Sequence, residues 1–82
     1  MTTTLTGSEF KVSDALKVIF KDEHGRPFRF TNPPRVFITG YWKNSVNPVE
    51  FSDTVTEISE SFFVVRGKNM GEDYYIQWLA IG

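Results

Sequence analysis

The sequence contains no cysteine and only one histidine, His24, and these absences exclude several classes of site. Without cysteine there can be no disulfide and no thiolate zinc site. A single histidine argues against a histidine-based metal cluster and against a Ser-His-Asp triad. The net charge is −1, so bulk electrostatics do not draw the chain to nucleic acid or to an anionic membrane. We therefore expect a protein that is not an enzyme and needs no cofactor or metal.

Long apolar runs are also missing. No segment approaches the ~20 apolar residues that span a bilayer, and Met1–Ser8 lacks the basic and apolar regions of a secretory signal. We expect a soluble chain without membrane insertion. Its 82 residues are close to the lower limit for a self-sufficient core, so self-association is a natural source of further stability. The sequence predicts a flexible lead-in over residues 1–8 and one domain over residues 9–82.

The segment Tyr74–Gly82 is apolar on both faces when it is read with a period of two residues. One face carries Tyr74, Ile76, Trp78 and Ala80, and the other carries Tyr75, Gln77, Leu79 and Ile81. A strand that is covered on both sides has this pattern. The sequence therefore predicts that the last strand is central in a sheet, with Tyr75, Ile76, Trp78 and Ala80 in the core or in contacts between subunits.

Short alternating or β-branched segments recur along the rest of the chain, separated by turn-forming residues, and no sustained helical period is present. A β-bulge is expected near Asp53 or Glu57. These signals predict an all-β fold, a six-stranded antiparallel β-sandwich. The predicted strands or extended segments are Phe10–Val12, Ala15–Lys21, Phe28–Phe30, Arg35–Lys43, Val49–Ser59, Ser61–Gly67 and Tyr74–Gly82.

Sugar sites combine an aromatic face with planar polar groups, and two segments offer such groups. In the first, Asn44 and Asn47 follow Tyr41 and Trp42. The second, the loop before the last strand, contains Arg66, Lys68, Asn69, Glu72 and Asp73, which offer a polar pocket at a subunit boundary but include no aromatic residue. Each has a plain structural alternative, since strand aromatics mostly serve packing and polar loops mostly serve turns.

Four groups of residues, in order, resemble the H-type lectin domain of invertebrate agglutinins. They are Val18-Ile19-Phe20, then Phe30 with Pro33-Pro34-x-Val36, then Val55 and Ile58 before Phe63, and finally Ile76-Gln77-Trp78-Leu79-Ala80-Ile81-Gly82. The Trp-x-Ala-Ile-Gly ending is also similar to the carboxyl ends of many bacteriophage tail-fibre proteins. The resemblance covers about Leu16–Gly82, and its motifs are core and turn positions.

The resemblance implies a sandwich that assembles as a trimer, or as a pair of trimers, and binds sugars between subunits. It implies a receptor-binding tip of a phage or prophage tail fibre, located on the virion, that attaches to a bacterial surface glycan. At the position of the family's sugar-binding arginine this sequence has Glu50, and Phe62 stands where the family often has glycine. The predicted sugar-contacting residues are Trp42, Asn44, Asn47, Glu50, Arg66, Lys68, Asn69 and Asp73.

Other interpretations stay open at this point. Asp22-Glu23-His24 is either a metal site or a turn, and Glu50, Asp53, Glu57 and Glu60 suggest either hydrolysis or, more simply, a solvated acidic face. A structural virion module without ligand is a second function class. A third is an OB-like binder of single-stranded nucleic acid, although the balanced charge argues against a nucleic-acid partner. Its basic and aromatic residues would be Lys17, Lys21, Arg26, Arg29, Arg35 and Lys43 among Phe28, Phe30 and Phe37.

Overall fold

The computed structural model describes residues 2–44, 48–49 and 51–82 and consists of two three-stranded antiparallel sheets. Sheet A has the strand order β1-β6-β3 and sheet B has the order β2-β5-β4. This confirms the predicted all-β fold with six strands. The described residues include no helix with enough apolar length to traverse a lipid bilayer. The strands are β1 (Thr4–Phe10), β2 (Ala15–Ile19), β3 (Arg35–Trp42), β4 (Thr54–Ile58), β5 (Phe62–Arg66) and β6 (Tyr74–Ile81).

The last strand, β6, is the centre of sheet A, as its two apolar faces predict. It pairs with β1 over residues 75–81 on one side and with β3 along its whole length on the other. The residues of its inner face are buried: Tyr74, Ile76, Trp78 and Ala80. The placement of Ile76, Trp78 and Ala80 in the core is thus confirmed, whereas Tyr75 lies on the opposite, outer face and is only half-buried.

The first strand corrects the expectation of a flexible lead-in over residues 1–8. Thr4–Phe10 pairs with β6 from Thr4 opposite Ile81 to Phe10 opposite Tyr75. The Thr-rich segment has little to bury, and for this reason it was not expected to be a strand. An edge strand can form nevertheless, because a neighbouring strand supplies its hydrogen bonds and only one of its faces needs to be covered.

Three other segments differ in extent from the prediction. Strand β1 ends at Phe10, so Phe10–Val12 does not start a strand. Phe28–Phe30 is not part of a strand, and only an isolated bridge joins Lys21 to Pro27. Strand β4 begins at Thr54 rather than at Val49. Its register shifts between Val55 and Glu57, so the bulge expected near Glu57 is present.

The core is aromatic where the two sheets meet. Phe20 lies 5.8 Å from Trp78 and 5.0 Å from Phe30, and Phe63 lies 5.5 Å from Trp78, all measured between ring centroids. Such edge and tilted pairs add about 0.5–1.5 kcal/mol each beyond area burial. Trp78 also requires Gly7 on the neighbouring strand, because a Cβ at Gly7 would lie 2.6 Å from the indole nitrogen.

Candidate functional site

Three aromatic side chains lie side by side on the outer face of sheet A. Phe10 and Tyr41 are each paired directly with Tyr75, from opposite sides of β6. The ring of Tyr75 is 5.2 Å from that of Phe10, edge to face, and 5.7 Å from that of Tyr41, stacked. We call Phe10, Tyr75 and Tyr41 the aromatic row. Within the part of the chain that the structure describes, no second sheet covers it, so the row is available for contact with another molecule.

Polar groups adjoin the aromatic row at the same end of the sheet. The Lys43 ammonium lies 5.5 Å from the Tyr75 ring centroid, and the Lys43 amide donates to the carbonyl of Asp73 at 2.8 Å. The side-chain amide of Asn44 donates to Asp73 Oδ1 at 2.9 Å in an exposed position. Two of the predicted ligand residues, Asn44 and Asp73, are therefore in contact although 29 positions separate them.

Trp42 is not a free aromatic platform. Its ring lies 4.7 Å from that of Tyr74 on the inner face, and it packs against the buried core. The packing alternative is the correct one for this residue, because position 42 has the same parity along β3 as the core positions Val36 and Ile38. The aromatic groups on the outer face at this end of the sheet are instead Tyr41, which the sequence offered together with Trp42, and Tyr75, which was predicted only as a core or trimer residue.

The other predicted ligand residues do not gather at this place. Asn69 is 3% exposed and its amide donates to the Phe51 carbonyl at 2.7 Å, so it is a structural residue rather than a ligand contact. Arg66 and Lys68 are exposed, but within the described residues no hydrogen bond or ion pair joins them to Asn44 or Asp73. Asn47 and Glu50 lie outside the described residues.

A buried polar cluster lies behind the site, and sequence reasoning did not identify it. Lys11 is fully buried, and its ammonium lies 3.8 Å from Asp53 Oδ1. The same ammonium donates to the carbonyl of Gly67 at 2.9 Å and to that of Asn69. The Tyr74 hydroxyl donates to Asp53 Oδ2, which also accepts from the Asn69 amide at 3.2 Å. We call Lys11, Asp53, Asn69 and Tyr74 the polar cluster.

The polar cluster fixes the base of the candidate site. Its contacts join the end of β1, the segment before β4, the loop before β6 and the first residue of β6. Tyr74 directly follows Asp73, so the cluster also restrains the backbone that presents the Asn44–Asp73 pair. The pKa of the Tyr74 hydroxyl is raised above its ordinary value by burial first, and then by the hydrogen bond to Asp53 and the charge of Asp53. The Tyr74 hydroxyl therefore keeps its proton and donates it in a structural hydrogen bond to Asp53.

The acidic residues that suggested a metal site or hydrolysis take part in other contacts. Asp22 Oδ1 accepts from the backbone amides of His24 at 2.9 Å and Arg26 at 3.0 Å, which makes it a turn residue. Asp53 belongs to the polar cluster, so the expected solvated acidic face is wrong at this position. Glu57 is exposed, and within the described chain no three His, Cys, Asp or Glu side chains are grouped as a metal site.

A scan against protein-family models and a search of the curated proteins each find no match for this chain.

Proposed function

We propose that this chain is a non-catalytic carbohydrate-binding module that acts as a homotrimer at the tip of a bacteriophage or prophage tail fibre. Its task would be to attach the virion to a bacterial surface glycan. The ordered motifs that end at Trp78-x-Ala80-Ile81-Gly82 support the lectin-like part of the proposal, and the six-stranded fold agrees with it.

The contact between Asn44 and Asp73 beside the aromatic row is the observation that carries the proposal. A sugar ring has apolar C–H faces, which pack on aromatic rings, and hydroxyl groups, which need donors and acceptors in fixed directions. The amide and the carboxylate supply both kinds of group, and each is exposed enough to exchange its partner for a ligand. The rings of Tyr41 and Tyr75 supply the apolar surface.

The proposed contact between subunits of the trimer is the remaining part of the outer face of sheet A, next to the aromatic row. Phe37 is 55% exposed, and Leu79 and Ile81 are half-buried on the outer face of the neighbouring strand β6. Apolar side chains on the uncovered face of a central strand are typical of a surface that meets another subunit. A trimer would present three sites to one surface, so weak contacts could hold a virion through multivalency.

A glycan array tests the proposal, with the purified protein applied at low and at high salt. We expect binding to a defined glycan that persists at high salt, because neutral sugar contacts respond weakly to ionic strength. Contacts to nucleic-acid phosphates would weaken steeply with salt. Asn44→Ala and Asp73→Ala should each reduce binding at least tenfold.

The matched control is Glu72→Ala, which removes an exposed carboxylate next to Asp73 and should leave binding unchanged. Retained binding in both Asn44→Ala and Asp73→Ala would contradict the assignment of the site. A correctly assembled protein that binds no glycan would instead support a structural virion module.

A further inference from the structure

A cleft lies at the opposite end of sheet A from the aromatic row. It has a volume of about 480 Å³ and is formed between residues 28–33 and the end of β6. Arg35 begins β3 directly opposite Ile81, whereas Tyr41 lies opposite Tyr75, six residues further along. At about 3.4 Å per residue the two places are roughly 20 Å apart. A ligand in this cleft would therefore be distinct from one at the Asn44–Asp73 pair.

The cleft is positively charged. Arg29 and Arg35 contribute to its wall, and none of the described side chains that line it is acidic. Arg29 has one carboxylate nearby, with 3.8 Å between its Nη2 and Glu60 Oε1, but the guanidinium remains 72% exposed. Arg35 has no ion pair within the described residues. The Arg35 guanidinium and the largely exposed Arg29 guanidinium, whose one nearby carboxylate lies at 3.8 Å, together favour an anionic ligand.

Backbone hydrogen bonds fix the walls of the cleft in the absence of a ligand. Phe30 is buried, and its amide donates to the Glu60 carbonyl at 2.8 Å. The Phe28 amide donates to the Phe20 carbonyl at 2.9 Å, and the Gly82 amide donates to the Thr3 carbonyl at 2.9 Å. Because the backbone on both sides is fixed, filling the cleft costs little backbone entropy.

The remaining lining fits a saccharide better than a bare ion. Thr31 supplies a hydroxyl, Asn32 supplies an amide, and half-buried Phe28 supplies an apolar ring beside the two arginines. These groups match sugar hydroxyls and a sugar ring, and the volume lies in the usual range for small-molecule sites. A comparable cleft beside Trp78, of about 340 Å³, contains Glu9 and Asp22 as well as Lys17 and Lys21, so its charges balance.

We propose that the cleft of Arg29 and Arg35 binds an acidic saccharide through its carboxylate or phosphate group. Both groups are planar or forked arrays of oxygen that a guanidinium can bind in a bidentate manner. Nucleic acid is less favoured, because two arginines in a compact cleft do not form the continuous basic stripe that tracks a phosphate backbone.

Amide chemical shifts in the ¹⁵N-labelled protein of residues 1–82 provide the test. The probes are trigalacturonate as the carboxylate, glucose 6-phosphate as the phosphate, galactotriose as the neutral match and a short oligothymidylate. We expect saturable shifts at Thr31, Asn32, Arg35 and Ile81 with one or both acidic sugars. Galactotriose should bind at least tenfold more weakly than the acidic sugar that binds.

Arg29→Gln and Arg35→Gln should each weaken the acidic sugar at least fivefold, and the double variant should abolish saturation. Arg26→Gln is the matched control, because Arg26 is an exposed arginine of the preceding turn and does not line the cleft. Asn44→Ala should leave this binding unchanged, which separates a failure here from a failure of the aromatic-row site. The proposal is overturned if neither acidic sugar shifts these amides, or if both arginine variants bind the acidic sugar as tightly as the wild type does. It is also overturned if the neutral sugar binds equally, or if oligothymidylate binds more tightly.

Discussion

Lys11 and Asp53 form an ion pair inside the sandwich, with 3.8 Å between Nζ and Oδ1 and side-chain exposures of 0% and 5%. Lys11 follows the edge strand β1, and Asp53 precedes β4 of the other sheet. A buried pair of this kind compensates two desolvated charges only while both are present. It therefore ties the two sheets together at the end of the molecule where the Asn44–Asp73 pair lies.

Removal of the Lys11 charge should strongly destabilise the protein. Lys11→Met leaves the Asp53 carboxylate buried without its cation, and we expect a loss of about 3–5 kcal/mol in the free energy of unfolding. Urea denaturation measures this difference. Lys68→Met, at an exposed lysine, should change stability by less than about 0.5 kcal/mol. The double variant Lys11→Met, Asp53→Asn should recover part of the loss, and failure to do so would argue against an uncompensated charge as the cause.

Gly40 should not tolerate a side chain. A Cβ at this position would overlap the Tyr74 hydroxyl and lie 2.7 Å from the ring carbon that bears it. We expect Gly40→Ala to destabilise the protein by about 1–3 kcal/mol, since overpacking displaces the hydroxyl from Asp53. In a double-mutant cycle measured by denaturation, Tyr74→Phe should reduce the effect of Gly40→Ala because it removes the overlapping oxygen. Additive effects would show that the two positions do not interact, and Thr39→Ala, at the exposed neighbour, serves as the control.

Stability should fall above about pH 10 because of Tyr74. The pKa of its hydroxyl is higher in the folded protein than in the unfolded chain, where it is about 10. Below pH 10 both states keep the proton and the stabilisation is fully present. Above pH 10 the unfolded state loses the proton first, so stability decreases by up to about 1.4 kcal/mol per pH unit. Denaturation between pH 9 and 11 should therefore show a steeper decline for the wild type than for Tyr74→Phe, and equal slopes would refute this explanation.

The outer face of sheet A should mediate self-association. Sedimentation equilibrium should give three times the chain mass for the wild type, and Phe37→Glu should yield a monomer because it places a charge among apolar contacts. Phe51 is 51% exposed, close to the 55% of Phe37, so Phe51→Glu is a matched control that should remain a trimer. A wild-type monomer, or a Phe37→Glu variant that associates normally, would contradict the proposed interface.

The fold was largely predictable because burial follows local alternation along each strand. The two apolar faces of Tyr74–Ile81 indicated a central strand, and β6 does occupy the centre of sheet A. The strand over Thr4–Phe10 was missed because its side chains show little apolar alternation, and its partner β6 is about 70 residues away along the chain. Pairing between strands that are so far apart along the chain leaves no pattern in the local sequence.

The all-β class, the core face of the last strand and the polar residues of the loops can be predicted from residue patterns alone. Which of these residues are in contact becomes clear only from the arrangement of the two sheets. It placed Asn44 against Asp73, turned Trp42 inward, and buried Lys11 with Asp53. The physical reason is that strand parity is a local property, whereas the partner of a polar side chain depends on the register between strands and on the packing of the two sheets.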